Sequence, residues 1–449
     1  MKRKQFLRAA TAITAGSIFL PVSSCKQAPI VKRKNWAGNY QYKAKNLYTP
    51  HTVEEVQALV KNLSSQKALG SCHCFNDIAD SPINQISTEN LNKMLTIDPV
   101  GRTVTVEAGV KYGQFAPQLD HQGFAVHNLA SLPHISVAGA AATATHGSGV
   151  TNGNLASAVH AVEFVSSDGE LHHLSRDKDS DALNGVVVGL GAIGIITKVA
   201  LDIQPKFQVR QDIFQDLPLQ SLKDHFDEIM SAGYSVSLFT DWQNQNISQV
   251  WIKRRMDTPV KDLGKDFFGA KAAIKNLHPI TTLSAENCTD QMGVPGAWYE
   301  RLPHFKMGFT PSSGEELQAE FFVPRKNAVD AILAIEKKGN LILPQLMITE
   351  IRTIAADSLW MSTAYKQDSV AIHFTLKQHT PEVMALLPMI EAELMPYGVR
   401  PHWGKLFTID PKVLHSRYER YGDFMNLVKH YDPKGKFRNA FLDKNIYSL

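Results

Sequence analysis

Leu69-Gly70-Ser71-Cys72-His73-Cys74-Phe75-Asn76 is the stretch on which the fold turns. It is a Gly/Ser turn carrying a single histidine. Upstream, Thr52-Val53-Glu54-Glu55 is a capping box that opens a helix. Val53, Val56, Val60 and Leu63 follow at helical spacing, so an amphipathic helix is expected over 52–64. Lys67-Ala68-Leu69 is a brief strand that feeds the turn. By itself, a histidine in such a loop reads as a solvated or capping residue.

Downstream, Thr103 to Val106 alternates as a strand, and Tyr112, Phe115, Ala116 and Leu119 mark a second helix. Val159 to Val165 and Leu171 to Leu174 read as strands joined by a turn at Ser167-Asp168-Gly169. Strand, helix and hairpin are mixed without a repeating βαβ series, which predicts an α+β fold. Gly189-Leu190-Gly191-Ala192-Ile193-Gly194 matches GxGxxG and follows the apolar run Val186 to Val188. A dinucleotide fingerprint needs a helix next, but Lys198 to Ile203 alternates like a strand. A glycine turn between strands is the better account. Ser131 to Gly139, continuing through Ala140 to Gly149, has almost no bulky side chains. Either a cofactor approaches the backbone there, with amide N–H groups on phosphate oxygens, or the stretch is a tight Ala/Gly helix contact.

Beyond residue 207 the elements are of ordinary size. Strands are expected at 235–242, 249–254, 317–323, 345–353 and 370–377, and helices at 219–231, 325–338 and 381–395. The pattern is one antiparallel sheet with helices on one face. Glu350 and Arg352 share a face of one strand. His373, Thr375 and Lys377 share a face of the next, with Ile372, Phe374 and Leu376 opposite. Such a face is either solvated or lines a polar pocket. Residues 245–264 and 267–294 are the least readable parts and are expected to include long surface connections.

The chain has 449 residues, 44% apolar and 20% charged, enough for two or three domains with large cores. Lys and Arg number 47 against 43 Asp and Glu. Lys2, Arg3, Lys4 and Arg8 precede Cys25 with no acidic residue among them, so the remaining body is neutral. That argues against a nucleic-acid binder. Residues 1–25 read as a bacterial lipoprotein export signal. A basic start precedes a short apolar region, Ala9 to Leu20, and Val22-Ser23-Ser24-Cys25 resembles a lipobox. Arg3-Lys4-Gln5-Phe6-Leu7 resembles a twin-arginine signal; a Sec signal is the alternative. Residues 26–34 would be a tether. The expected location is the periplasmic or cell-surface side of a membrane, anchored by lipid at Cys25. Four cysteines are too few for a disulfide framework. Cys72 and Cys74 are too close in sequence to bond each other readily, and no CxxC pair suggests a metal.

Six separated motifs carry a resemblance. They are Asn35-Trp36-Ala37-Gly38-Asn39, the 69–76 loop, Ala130 to Ser136, Thr145 to Gly149, His402-Trp403-Gly404-Lys405, and Asp432 to Phe437. Together they resemble the PCMH-type FAD-binding proteins of the vanillyl-alcohol oxidase superfamily. Within it they are most similar to the alditol (xylitol/sorbitol) oxidases, and more loosely to the aldonolactone oxidases. The resemblance implies a two-subdomain FAD-binding domain over 35–206, a substrate cap over 207–400, and a segment over 401–449 that returns to the flavin domain.

It places Leu69, Gly70, Ser71, Cys72, His73, Cys74, Phe75, Asn76, Ser131, Ser136, Gly139, Thr145, His146, Gly147, Ile196 and His402 at the FAD. His73 falls on the histidine that bonds covalently to the flavin 8α carbon. Ser131, Glu350, Arg352, Thr375 and Lys405 fall on residues that contact polyol hydroxyls. Cys72 and Cys74 depart from the usual glycine and serine. The implied reaction is oxidation of the C1 hydroxyl of an alditol to the aldose, with hydride passing to flavin N5 and O2 becoming H2O2. Arg352 and Lys405 would stabilise the alkoxide, Glu350 would hold those cations in place, and His373 would move the proton. The competing readings are a same-fold dehydrogenase that reduces a quinone or cytochrome, and a non-catalytic carbohydrate-binding lipoprotein. A monomer is expected.

Overall fold

The computed structural model describes residues 33–259, 262–308 and 315–448. The expected export signal, Cys25 and most of the tether lie outside the described residues. Thr52 caps the helix Val53–Asn62 by accepting from the Glu55 N–H at 3.2 Å, and the Glu55 carboxylate accepts from the His51 N–H at 2.7 Å. Val56 and Val60 of that helix pack on Ile86, Val165, Ile195 and Phe437. The strand Lys67–Leu69 pairs in parallel with Asn84–Ser87, which also pairs in parallel with Asn46–Tyr48. A second, antiparallel sheet of five strands runs in the order Met94–Asp98, Thr103–Glu107, Ile195–Asp202, Val159–Val165, Leu171–Ser175.

The glycine-rich turn 189–194 is followed by the strand Ile195–Asp202, as its sequence indicates. What precedes it is not a strand. Val186 and Val187 close the helix Arg176–Val187, where Leu183, Val186 and Val187 are buried together. An apolar run at the end of a helix is indistinguishable from a short strand by composition alone.

Among the described residues the largest sheet has ten strands. Its main path runs Asp266–Phe267, Ala270–Ala272, Gln208–Pro218, Asn246–Arg255, Ser235–Thr240, Leu346–Ile354, Ser369–Lys377, Glu316–Pro324, Arg400–Pro401, with Gly296–Ala297 paired to Gln208–Pro218 off the path. Its pairings are antiparallel. The helices Leu219–Met230, Ala328–Glu336 and Thr380–Leu394 pack on it and on one another. One sequence expectation needs correction. Gln208–Pro218 is a long interior strand that the sequence pattern hides, because Gln211, Asp212, Gln215 and Asp216 dilute its apolar alternation. The strand expected at 249–254 is present as Asn246–Arg255, an interior strand with Val250, Trp251, Ile252 and Lys253 buried.

Register places the polar face. Glu320 stands opposite His373, and His373 stands opposite Glu350, so these three lie in one row across adjacent strands. Leu317, Ala319, Phe321, Ile351, Ile372 and Phe374 take the alternate positions and belong to the main core. The C-terminal stretch closes on the first sheet. The Asp432 carboxylate accepts from the N–H groups of Lys436 and Phe437, and Asn439 donates to the carbonyls of Asp77, Ile78 and Asp80. Among the described residues no helix is long and apolar enough to cross a membrane.

Candidate active site

The loop after Leu69 is seated on the start of the helix Val137–Ala142. A Cβ on Gly70 would meet Ser136 Oγ at 2.7 Å, and one on Gly139 would meet the same oxygen at 2.8 Å. Glycine at 70 lets the loop approach the helix start, and glycine at 139 leaves room for the Ser136 hydroxyl. Ser71 Oγ accepts from the Ser136 N–H at 3.0 Å, while Ser136 Oγ itself is buried without a partner. Cys72 adopts φ 62°, the left-handed region that favours glycine. A cysteine there costs about 1 kcal/mol or more of backbone strain.

His73 stacks on Trp36, with centroids 5.2 Å apart and planes 17° off parallel. The Trp36 N–H donates to Cys72 O, and Asn35 Nδ2 donates to Cys74 O, so the 35–39 motif holds the loop from outside. His73 Nδ1 lies 2.8 Å from Ser71 O, which can only accept. The ring therefore carries its proton on Nδ1, and Nε2 is left buried and unpartnered. Burial pushes the His73 pKa down to about 4, so the imidazole is neutral. Cys74 sits against Gly404, where a Cβ would meet its Sγ at 3.1 Å, and burial pushes its thiol up to about 11. Cys72 and Cys74 are both free thiols.

One cavity of about 500 Å³ joins this loop to the polar row of the ten-stranded sheet. Its walls include Gly70, Ser71, Cys72, His73, Cys74, Phe75, Ser131, Ser136, Gly139, Thr145, His146, Ile196 and His402, and also Glu350, Arg352, His373, Thr375 and Lys405. Three expected residues are not on its wall. Leu69 is buried in its strand, and its carbonyl accepts from the Thr88 N–H. Asn76 turns away to donate to the carbonyls of Trp403 and Lys405, at 2.8 Å each. Gly147 packs on Leu129 and Asn128, and its carbonyl accepts from His146 Nδ1.

At the polar end, Arg352 lies between two carboxylates. It is 2.6 Å from Glu320 Oε1 and 3.5 Å from Glu350 Oε1, and it donates to Ser131 Oγ at 3.3 Å. Glu320 also faces His146 Nε2 at 3.1 Å and His373 Nδ1 at 3.5 Å. His304 Nε2 lies 2.7 Å from Glu350 Oε1. Burial alone would raise both carboxyl pKa values, but Arg352 and the neighbouring histidines outweigh it and hold both well below the usual range. Burial would also discharge Arg352, and the two carboxylates reverse this and raise its pKa. Lys405 hydrogen-bonds Gln318 Oε1 and lies over the Phe75 ring at 4.7 Å. Burial lowers its pKa against the opposing pull of Glu320 and Glu316.

Glu320, Gln318 and His304 are the functional residues that sequence reasoning missed. Glu316, Gln318 and Glu320 alternate with Leu317, Ala319 and Phe321, the same signal that singled out Glu350 and Arg352. His304 and the wall formed by His278, Pro279, Ile280, Leu283, Ser284 and Asn287 come from irregular chain with no periodicity to read. The least readable stretch, 267–294, thus contributes to the cavity wall.

His304 makes the fold sensitive to acid. Burial is the main cause that lowers its pKa to about 4, against 6.5 when unfolded. Between those values the unfolded chain binds more protons, so stability falls as pH drops from about 6.5 to about 4. The expected loss is on the order of 3 kcal/mol, read as a falling thermal midpoint. A midpoint that stays flat over that window contradicts the neutral, buried imidazole.

Residues 44–175 match the FAD binding domain family, and residues 314–445 match the D-arabinono-1,4-lactone oxidase family. The chain is 44% identical over 415 residues to the alditol oxidase of a Streptomyces species, covering 91% of this chain and 97% of that protein. It is 24% identical to L-gulonolactone oxidase of Bos taurus, with 93% and 98% covered. It is 26% identical to L-gulono-1,4-lactone dehydrogenase of Mycobacterium tuberculosis, with 91% and 97% covered. Cholesterol oxidase from B. sterolicum shares the fold, with a TM-score of 0.73 at 14% identity over 92% of this chain and 96% of that one. Fold and matches together define an FAD-dependent oxidase with a PCMH-type flavin fold. The chain belongs to the alditol oxidase family. Its cavity fits FAD on its own evidence: the unpartnered His73 Nε2 and Ser136 Oγ are buried there, and a Cβ at Gly70 or Gly139 would crowd the Ser136 hydroxyl.

Proposed function

We propose that the enzyme oxidises the C1 hydroxyl of an alditol such as xylitol or sorbitol to the aldose, reducing O2 to H2O2. The FAD supplies the two-electron acceptor for the C1 hydride, at N5. The observation that carries the reading is Arg352, buried between Glu320 and Glu350 in the wall of the cavity that the His73 loop also lines. A polyol offers only hydroxyls, so a dry site must supply both donors and acceptors. Arg352, Lys405 and Ser131 are the donors, Glu350 is the principal acceptor, and Thr375 can be either. Arg352 and Lys405 stabilise the developing alkoxide as fixed positive charge. His373, whose Nε2 is 3.3 Å from Thr375 Oγ1, moves the hydroxyl proton. His73 holds the flavin through a bond to the 8α carbon. Gly70, Ser71 and the Ser136–Gly139 backbone hold the pyrophosphate.

A second reading has support from the mycobacterial relative, which is named a dehydrogenase. In that reading electrons pass to a quinone or cytochrome, which suits a monomer exported and anchored by lipid at Cys25. Ala130, in the cavity wall beside Ser131, is one position where side-chain size can govern O2 entry. H2O2 release with xylitol, sorbitol and an aldonolactone tests the substrate class, and we expect the alditols to give the higher kcat/KM. Stopped-flow mixing of reduced enzyme with O2 tests the acceptor. Slow reoxidation would sink the oxidase reading and leave the dehydrogenase.

A further inference from the structure

Glu350 has a partner that the proposed chemistry does not use. His304 Nε2 lies 2.7 Å from Glu350 Oε1, and behind His304 the sheet buries a lysine. Lys253, on the strand Asn246–Arg255, is only 1% exposed. Its ammonium donates to Leu302 O, to Pro303 O at 3.1 Å and to His304 Nδ1 at 3.1 Å. An ammonium has three protons, and these contacts use all of them. Trp251 and Phe239 meet the His304 ring edge-on at 5.2 and 5.5 Å. The His304 N–H donates to Ser131 O, and its carbonyl accepts from the Thr289 N–H. Ring and backbone are both held.

The proton positions follow. Nδ1 accepts from Lys253, so the neutral ring carries its hydrogen on Nε2 and donates it to the Glu350 carboxylate. We propose that Lys253 and His304 are positioning residues for alcohol oxidation: Lys253 fixes the His304 tautomer, and His304 pins one oxygen of Glu350, leaving an ionised carboxylate aimed at the substrate hydroxyl. The inference rests on the reading of Glu350 as that acceptor.

The other titratable and charged groups around the unit are few. Arg352 lies beside Glu350 on the same strand, and Glu320 lies beyond Arg352. His373 faces Glu350 from the neighbouring strand. Cys288 acts on Lys253 from the irregular segment, and burial pushes its thiol up to about 12. Burial pushes Lys253 down to about 7, with Glu350 opposing, and Lys253 in turn helps to keep His304 neutral. Without the lysine, the Nδ1–H tautomer becomes available. It would set the bare Nε2 against a carboxylate, two acceptors face to face.

The test uses flavin-loaded enzyme carrying Lys253→Met, His304→Asn, His304→Gln or Glu350→Gln. The first readout is the pH dependence of flavin reduction by xylitol in anaerobic stopped flow. Asparagine places its amide near Nδ1 and loses the donor to Glu350, whereas glutamine places it near Nε2 and keeps that donor. Lys253→Met and His304→Asn should slow reduction about tenfold and move the acid limb up by about one pH unit. His304→Gln should keep the limb of the unsubstituted enzyme. The second readout, thermal unfolding against pH, does not depend on turnover. In Lys253→Met the loss of stability between about pH 6.5 and 4 should shrink, because His304 no longer faces an ammonium. An unchanged pH–rate profile in both Lys253→Met and His304→Asn overturns the inference, as does a shift of the same size in His304→Gln. If Lys253→Met fails to fold, the asparagine and glutamine pair decides alone. Glu350→Gln separates the two claims: unimpaired reduction there refutes the acceptor role itself, while severe loss there with unchanged dyad variants refutes only the dyad.

Discussion

Arg352→Ala should lower the rate of flavin reduction by about 10³-fold or more, with a smaller change in substrate KM. The guanidinium bridges Glu320 and Glu350 and reaches Ser131 Oγ from the same position. Its loss removes the charge that stabilises the alkoxide. It also leaves two carboxylates buried without their main counter-ion, which costs about 3–5 kcal/mol where such a pair is broken. Arg352→Lys separates these effects. Lysine restores the charge but not a planar group able to reach three partners, so stability should largely return while the rate stays about 10²-fold down. Anaerobic stopped flow gives the rate, and thermal unfolding gives the stability. A reduction rate within about tenfold of the unsubstituted enzyme in Arg352→Ala would remove Arg352 from the chemistry.

His73→Ala should abolish acid-stable flavin retention entirely. Acid-precipitated enzyme should carry flavin fluorescence into a denaturing gel, and the variant should release all of its flavin. The basis is the unprotonated, unpartnered Nε2 of a ring held by Trp36 and Ser71 O. FAD should still bind non-covalently, because Gly70, Ser71 and the Ser136–Gly139 backbone are untouched by the change. Complete release of flavin from the unsubstituted enzyme by acid would refute the linkage.

Where side chains alternate, the sequence was readable. The strands Leu346–Ile354 and Ser369–Lys377 show a polar face against an apolar one, and that pattern together with the family motifs points to Glu350, Arg352, His373 and Thr375. The identical pattern in Glu316–Pro324 carries Glu320, the carboxylate with the most partners in the site. Other features could not be read at all. His304 reaches Glu350 from irregular chain, and its role depends on Lys253, a lysine on a strand far off in sequence. A charged residue in an interior strand looks like a solvated one until its neighbours are known. Cys72 is the reverse case. Its departure from glycine was visible in the sequence, but only the backbone shows why the position matters, since φ there is 62°.

Glu320, His373 and Glu350 owe their alignment to strand register rather than to any loop. A slip of one residue would turn the row toward the helices, so this arrangement resists gradual change. The part of the wall from His278 to Asn287 is not set by strand register. Divergence among relatives should therefore be unevenly distributed: the reacting groups stay constant while the irregular wall drifts, and a new substrate preference is more readily selected from that wall than from the sheet.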